Sequence, residues 1–136
     1  MYKLYGNPGM ANLAPHMALE AIGAPYEMVR VDTAAMQHQT PDYLRLNPTG
    51  RVPTLLEGDQ PIFETAAILL HLADRHPEAG LMPPPGSMER ALAYQWLIHL
   101  STTVQATYLA YYYPGRQVAD PAFADSALQA AGSRLN

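Results

Sequence analysis

The chain contains no cysteine, one tryptophan and only eight lysine and arginine residues against twelve acidic ones. Without cysteine there is no disulfide framework, no thiolate metal site and no cysteine nucleophile. The shortage of cations gives a net charge of −4 and a pI near 5.6. That balance excludes nucleic acid and anionic membrane as main partners, because both require a basic face. Long apolar runs are also missing, so no segment has the length of a membrane span. The start, MYKLYGNPGM, has no apolar run after its lysine and does not read as a signal peptide. These absences together predict a cytoplasmic protein. The five histidines, at 16, 38, 71, 76 and 99, include no pair at helical spacing, so no metal site is expected.

What is present is a globular composition, 49% hydrophobic and 15% charged over 136 residues, enough for one domain or for one domain and part of another. YKLYG at 2–6 alternates as a strand does. NLAPHMALEAI at 12–22 reads as a helix capped by Asn12 and ended by Gly23, with Pro15 in its first turn. YEMVRVD at 26–32 is a second strand, and TPDYLRL offers Thr40 as a helix cap and Pro41 as first helical residue. VPTLLEG and PIFE are two short strands in an antiparallel hairpin around GDQ. TAAILLHLADRHP spaces Ile68, Leu69, Leu72 and Ala73 as one helical face, with Pro77 as the stop. Residues 78–86 have linker composition. Residues 88–113 read as one long helix stopped by Pro114-Gly115, and Asp120-Pro121 opens another. The pattern is an α/β unit at 1–77 followed by an all-helical stretch at 87–136. The apolar segments of that stretch, WLIHL, YLAYYY and ALQAA, exceed what one long helix and part of a second bury on each other.

Two features of residues 47–68 stand out: Pro53 at the start of an apolar strand, and Glu64 with Thr65 at the start of a helix. Taken alone, Pro53 is the first residue of an edge strand and the Glu-Thr pair is an acidic first turn with a capping hydroxyl. NPTGRVPTL and ETAAILLHLADRHP, with the element order and LYGNPGMANLAPHMALEAIGAPYE, resemble the glutathione transferases, especially bacterial ones. The resemblance covers about residues 2–113; Thr65 stands where serine is more usual. It implies an α/β thioredoxin-like domain followed by an incomplete all-α domain, since full members run well past residue 136. It also implies a cis Val52–Pro53 bond, a homodimer, and a role in detoxification.

The site follows from the same resemblance. Val52 and Pro53 would hold the cysteinyl unit of glutathione through backbone groups, as an added strand is held. Glu64 and Thr65 would hold the γ-glutamyl end, the carboxylate on the ammonium and the hydroxyl with free N–H groups on the carboxylate. Arg51 and His38 match positions that face the glycyl carboxylate, with solvated surface roles as the competing account. The reaction implied is attack of the glutathione thiolate on a small apolar electrophile. Thiolate stabilisation falls to the turn after the first strand, where Ala11 and Asn12 replace a cysteine and serine common in relatives, and NPGMAN carries no hydroxyl. Asn12, Asn7 and Tyr5 are the remaining candidates, with a plain helix cap as the other account of Asn12 and a place in the core or on the sheet surface as the other account of Tyr5. Gln105 and Ala106 replace a histidine and a lysine of some bacterial members. Tyr94, Trp96, Tyr108 and Tyr111–Tyr113 form an aromatic surface, read as core or interface or as part of an apolar electrophile site. Glutathione enters as substrate. The alternatives are a non-catalytic glutathione- or protein-binding relative, and a glutathione-dependent cis-trans isomerase, whose serine-rich turn is absent here.

Overall fold

The computed structural model describes residues 1–135. It divides into two compact units, Met1–Ser87 and Met88–Asn136, and residues 78–86 belong to the first.

In the first unit, β1 (Tyr2–Gly6) buries Tyr2, Leu4 and Gly6 on one face, as its alternation requires. The chain returns through α1 (Leu13–Ile22), which ends at Gly23 with φ 72°. Glycine carries no Cβ penalty there, and its N–H satisfies the carbonyls of Leu19 and Glu20. β2 (Tyr26–Arg30) pairs parallel to β1, with Tyr2 opposite Tyr26 and Gly6 opposite Arg30. A 3₁₀ turn at Gln37–Gln39 leads to α2 (Pro41–Leu46), where the Thr40 hydroxyl accepts from the Tyr43 N–H. β3 (Thr54–Glu57) and β4 (Gln60–Phe63) form the antiparallel hairpin, and α3 (Thr65–Arg75) follows. The sheet order is β2-β1-β3-β4, the mixed sheet of a thioredoxin-like fold. Its core joins Tyr2, Leu4 and Leu55 from the sheet to Ala18 and Leu19 of α1 and Ile68 and Leu72 of α3. Burying each of these large apolar side chains contributes about 1.5–3 kcal/mol.

The second unit is helical and short: α4 (Met88–Ile98), α5 (Gln105–Tyr112) and α6 (Ala124–Leu135), the last entered through a 3₁₀ turn at Pro121–Phe123. The sequence predicts one α-helix over 88–113. The structure instead has a wide turn at His99–Val104, where the Gln105 N–H reaches back five residues to the Leu100 carbonyl. Hydroxyls explain the change. Ser101 donates to the Leu97 carbonyl at 2.7 Å and Thr102 to that of Ile98 at 2.9 Å. Both compete for the acceptors of an α-helical ladder, and such insertions are where helices widen.

Candidate functional site

Strand register brings four chain segments to one end of the sheet. Tyr5 pairs with Thr54 and Thr54 with Phe63. The residues just beyond, Asn7 after β1, Pro53 before β3 and Glu64 after β4, therefore lie at the same end. β2 ends there too, because Gly6 is opposite Arg30 and the Val31 N–H donates to the Gly6 carbonyl at 2.8 Å. Asp32 and Thr33 follow.

The β1–α1 turn is closed by side chains as well as backbone. The Met10 N–H donates to the Asn7 carbonyl, and the Leu13 N–H to that of Met10. Asn12 is 4% exposed, yet it does not cap α1. It has helical dihedrals, and its Oδ1 instead accepts the Asn7 N–H at 3.1 Å. The cap expected from the sequence is thus spent on holding the turn. Gly6 makes this possible: a Cβ there would stand 2.4 Å from Asn12 Cγ. The Asn7 amide in turn donates to the Thr33 hydroxyl at 3.3 Å. Tyr5 lies apart from this cluster. Leu4 takes the core face, so Tyr5 turns to the other face, edge-on to Tyr43 with centroids 6.2 Å apart. There it lines a shallow recess of about 390 Å³ with Val29, Val31 and Leu46. Alternation places it on the sheet surface rather than in the core.

A buried polar cluster fixes the loop before β3. Asn47 is 1% exposed. Its Nδ2 donates to the Arg51 carbonyl at 2.8 Å and to the Thr54 hydroxyl at 3.2 Å, and its Oδ1 accepts from the N–H and hydroxyl of Thr49. The Tyr43 hydroxyl donates to the same Arg51 carbonyl at 2.7 Å and lies 2.9 Å from Thr54 Oγ1. Burial is the main reason the Tyr43 phenol is pushed up from its ordinary range, against a smaller lowering by Thr54 and Asn47. The Val52–Pro53 bond is cis. The β1–β3 ladder stops at Thr54, and among the described residues nothing hydrogen-bonds the Val52 backbone. Gln39 Nε2 donates to the Gly50 carbonyl at 2.8 Å, tying the turn that carries His38 to the residue before Arg51. The Arg51 side chain is exposed, and His38 Nδ1 is buried with no hydrogen-bond partner among the described residues.

Glu64 has φ 70° and ψ 118°, a left-handed conformation that ordinary side chains avoid. It is exposed, its carboxylate caps nothing, and Thr65 opens α3 directly after it. Backbone strain of this kind costs of order 1–3 kcal/mol and concentrates where function requires it. The first N–H groups of α3 have no partner within the helix, which suits an anion. An acidic side chain, a hydroxyl and free helix amides thus follow one another where β4 passes into α3.

Of the residues singled out from sequence, Asn7, Asn12, Val52, Pro53, Glu64 and Thr65 share this end, and Arg51 and His38 sit on joined neighbouring segments. Tyr5 stands on the α2 face. Gln105 and Ala106 are exposed in the second unit. Asn47, Tyr43, Thr54 and Thr33 escaped the sequence reading; only the Asn-Pro-Thr-Gly turn hinted at Asn47. Among the described residues, no group of three or more histidine or acidic side chains is placed to hold a metal.

Known proteins resemble this chain in sequence and in fold. Residues 1–74 match the family of the glutathione S-transferase N-terminal domain. Glutathione S-transferase GST-4.5 of Xanthomonas campestris is 38% identical over 106 residues, 78% of this chain and 51% of that protein. Glutathione S-transferase GstA of Escherichia coli O157:H7 is 32% identical over 114 residues, 82% and 57% respectively. A glutathione transferase homologue from Sulfitobacter, solved with bound glutathione, superposes with a TM-score of 0.87 at 32% identity, covering 98% of this chain and 64% of that one. The chain thus spans little more than half the length of these curated relatives. By its sheet, its matched first 74 residues and these neighbours, the chain belongs to the glutathione S-transferase family.

Proposed function

We propose that the first unit binds glutathione along the end of the sheet just described and activates its thiol for attack on a small apolar electrophile. The Val52 N–H and C=O take the cysteinyl unit as an added strand. Glu64 pairs with the α-ammonium, while the Thr65 hydroxyl and the first N–H groups of α3 take the α-carboxylate. Arg51 and His38 meet the glycyl carboxylate. The sulfur then faces the β1–α1 turn, where the Asn12 amide is the donor; the Asn7 amide is engaged with the Thr33 hydroxyl, and Tyr5 has no part in it. The observation that carries this reading is the strained, exposed Glu64 directly ahead of Thr65 at the end of the sheet that holds the unpaired Val52 backbone. The Sulfitobacter neighbour, which contains glutathione, supports the choice of ligand. The thiol proton leaves to water; on a chlorinated nitroaromatic the thiolate sulfur then bonds to the ring carbon that bears chlorine, the C–Cl bond breaks and chloride leaves. We further propose a cytoplasmic homodimer with a detoxifying role.

A second reading, a non-catalytic glutathione binder, is favoured by one feature: residues 7–12 contain neither thiol nor hydroxyl. Calorimetric titration with glutathione and turnover of a chlorinated nitroaromatic separate the two. The transferase reading expects binding with turnover, and Glu64→Ala weakens binding at least about tenfold, the worth of a lost charge-assisted hydrogen bond. Binding without turnover leaves the binder. No binding to the wild-type chain overturns both.

A further inference from the structure

The turn that faces the proposed sulfur position has no hydroxyl of its own, but the fold brings one to it from elsewhere. Thr33 follows β2 and lies 26 residues from Asn7 in sequence. Its Oγ1 accepts the Asn7 amide at 3.3 Å, so its own proton is directed away from Asn7. That proton is aimed at a sulfur: Thr33 Oγ1 donates to Met10 Sδ at 3.7 Å. A thioether is a weak acceptor, so little holds this contact together. Met10 is 40% exposed and follows Gly9 in a surface turn, so its side chain can move aside into solvent. A half-buried hydroxyl is therefore oriented by an amide towards a sulfur, beside the turn where the ligand sulfur is placed.

We propose that Thr33, oriented by Asn7, is the hydroxyl that donates to the glutathione sulfur in this chain, with the Met10 thioether occupying that place until the ligand arrives. The inference rests on the glutathione reading above. A hydroxyl hydrogen bond to a thiolate is charge-assisted and roughly twice as strong as one to a neutral acceptor, so exchanging thioether for thiolate is favourable. It selects the ionised ligand and lowers the pH at which the bound thiol loses its proton to water. The donor is supplied across the sheet, from the end of β2, instead of from the turn.

The test measures two quantities on the full chain: the pH midpoint of bound glutathione ionisation, from the ultraviolet absorbance of its thiolate, and the affinity for S-methylglutathione, which has no thiol to ionise. Thr33→Val is expected to raise the midpoint by about one unit and leave S-methylglutathione affinity unchanged, while Thr33→Ser returns the midpoint to the wild-type value. Asn7→Ala, which keeps the hydroxyl but removes its orienting donor, raises the midpoint by less and serves if Thr33→Val does not fold. An unchanged midpoint in Thr33→Val, or in Asn7→Ala where that variant is the one measured, overturns the inference while leaving glutathione binding intact. Failure of Thr33→Ser to restore the midpoint also overturns it, since that marks a role in packing alone. A wild-type chain that binds neither compound overturns the glutathione reading itself, and this inference with it.

Discussion

The two units spend their polar groups in opposite ways. In the first, side-chain polar atoms tie distant segments together: Asn47 and Tyr43 hold the Arg51 carbonyl, Asn12 and Thr33 hold Asn7, and Gln39 holds Gly50. In the second, the hydroxyls of Ser101, Thr102 and Thr107 turn back on carbonyls of their own helix four residues earlier. The apolar groups divide similarly. Leu4, Leu19, Leu55, Ile68 and Leu72 of the first unit are fully buried, whereas Trp96, Ile98, Tyr112 and Phe123 of the second stay more than half exposed. Long-range polar ties over a closed core make a rigid platform, and a rigid platform is what precise ligand positioning requires. The helical unit has aromatic pairs on its surface, such as Tyr108 stacked on Tyr112 at 6.0 Å, and buries few of its large side chains.

The contrast can be broken by mutation. Leu72→Ala removes a side chain with no exposure from the centre of the first core and is expected to cost about 2–5 kcal/mol in denaturant unfolding. Tyr112→Ala, on a residue 67% exposed, is expected to change stability by about 0.5 kcal/mol or less. Equal effects would show that the helical face is buried in solution. Next in size is Asn47→Ala, which strips the Arg51 carbonyl and the Thr54 hydroxyl of a buried donor. About 2–3 kcal/mol of stability should go, and glutathione affinity with it, because the loop before Val52 loses its brace.

A smaller effect than that of Asn47 lies at the opposite end of the sheet, where Glu57 takes His71 at 2.6 Å and Arg75 at 3.2 Å. Desolvation pushes the Glu57 carboxyl up, but the hydrogen bonds and charges of His71 and Arg75 together outweigh it and hold the carboxyl below its ordinary range. A carboxyl that binds its proton less readily when folded adds stability above the unfolded pKa. That contribution disappears as the pH falls through the folded one. Glu57→Gln should therefore cost less than about 1 kcal/mol near neutrality and nothing in strong acid. A cost that persists at low pH would assign the loss to packing.

The elements of the first unit were legible in the sequence because their signals are local. Alternation in 2–6, glycine at 23, Thr40 before Pro41 and the helical spacing of Ile68, Leu69 and Leu72 each act over a few residues. The position of Glu64 and Thr65 at the start of a helix was legible, though the left-handed backbone of Glu64 was not, since glutamate does not advertise a positive φ. Asn12 was misread because a capping asparagine and one that accepts from a residue five positions earlier look the same in sequence. The Asn47 cluster and the Thr33 contact depend on strand register, which brings together residues far apart in the chain. The wide turn at 99–104 was hidden for a different reason. Ser-Thr-Thr fits an α-helix by propensity, and only the competition of hydroxyls with backbone donors for carbonyls disrupts it.

The claim at the centre of this account is that one end of the sheet in the first unit is a glutathione site. Backbone amide resonances followed through a glutathione titration test it residue by residue on the intact chain. The account predicts saturable shifts at Asn7, Asn12, Thr33, Val52, Glu64 and Thr65, with Gln60 and Glu57 at the far end of the hairpin unmoved. Shifts that avoid those six residues, or a spectrum that ignores glutathione altogether, would contradict it.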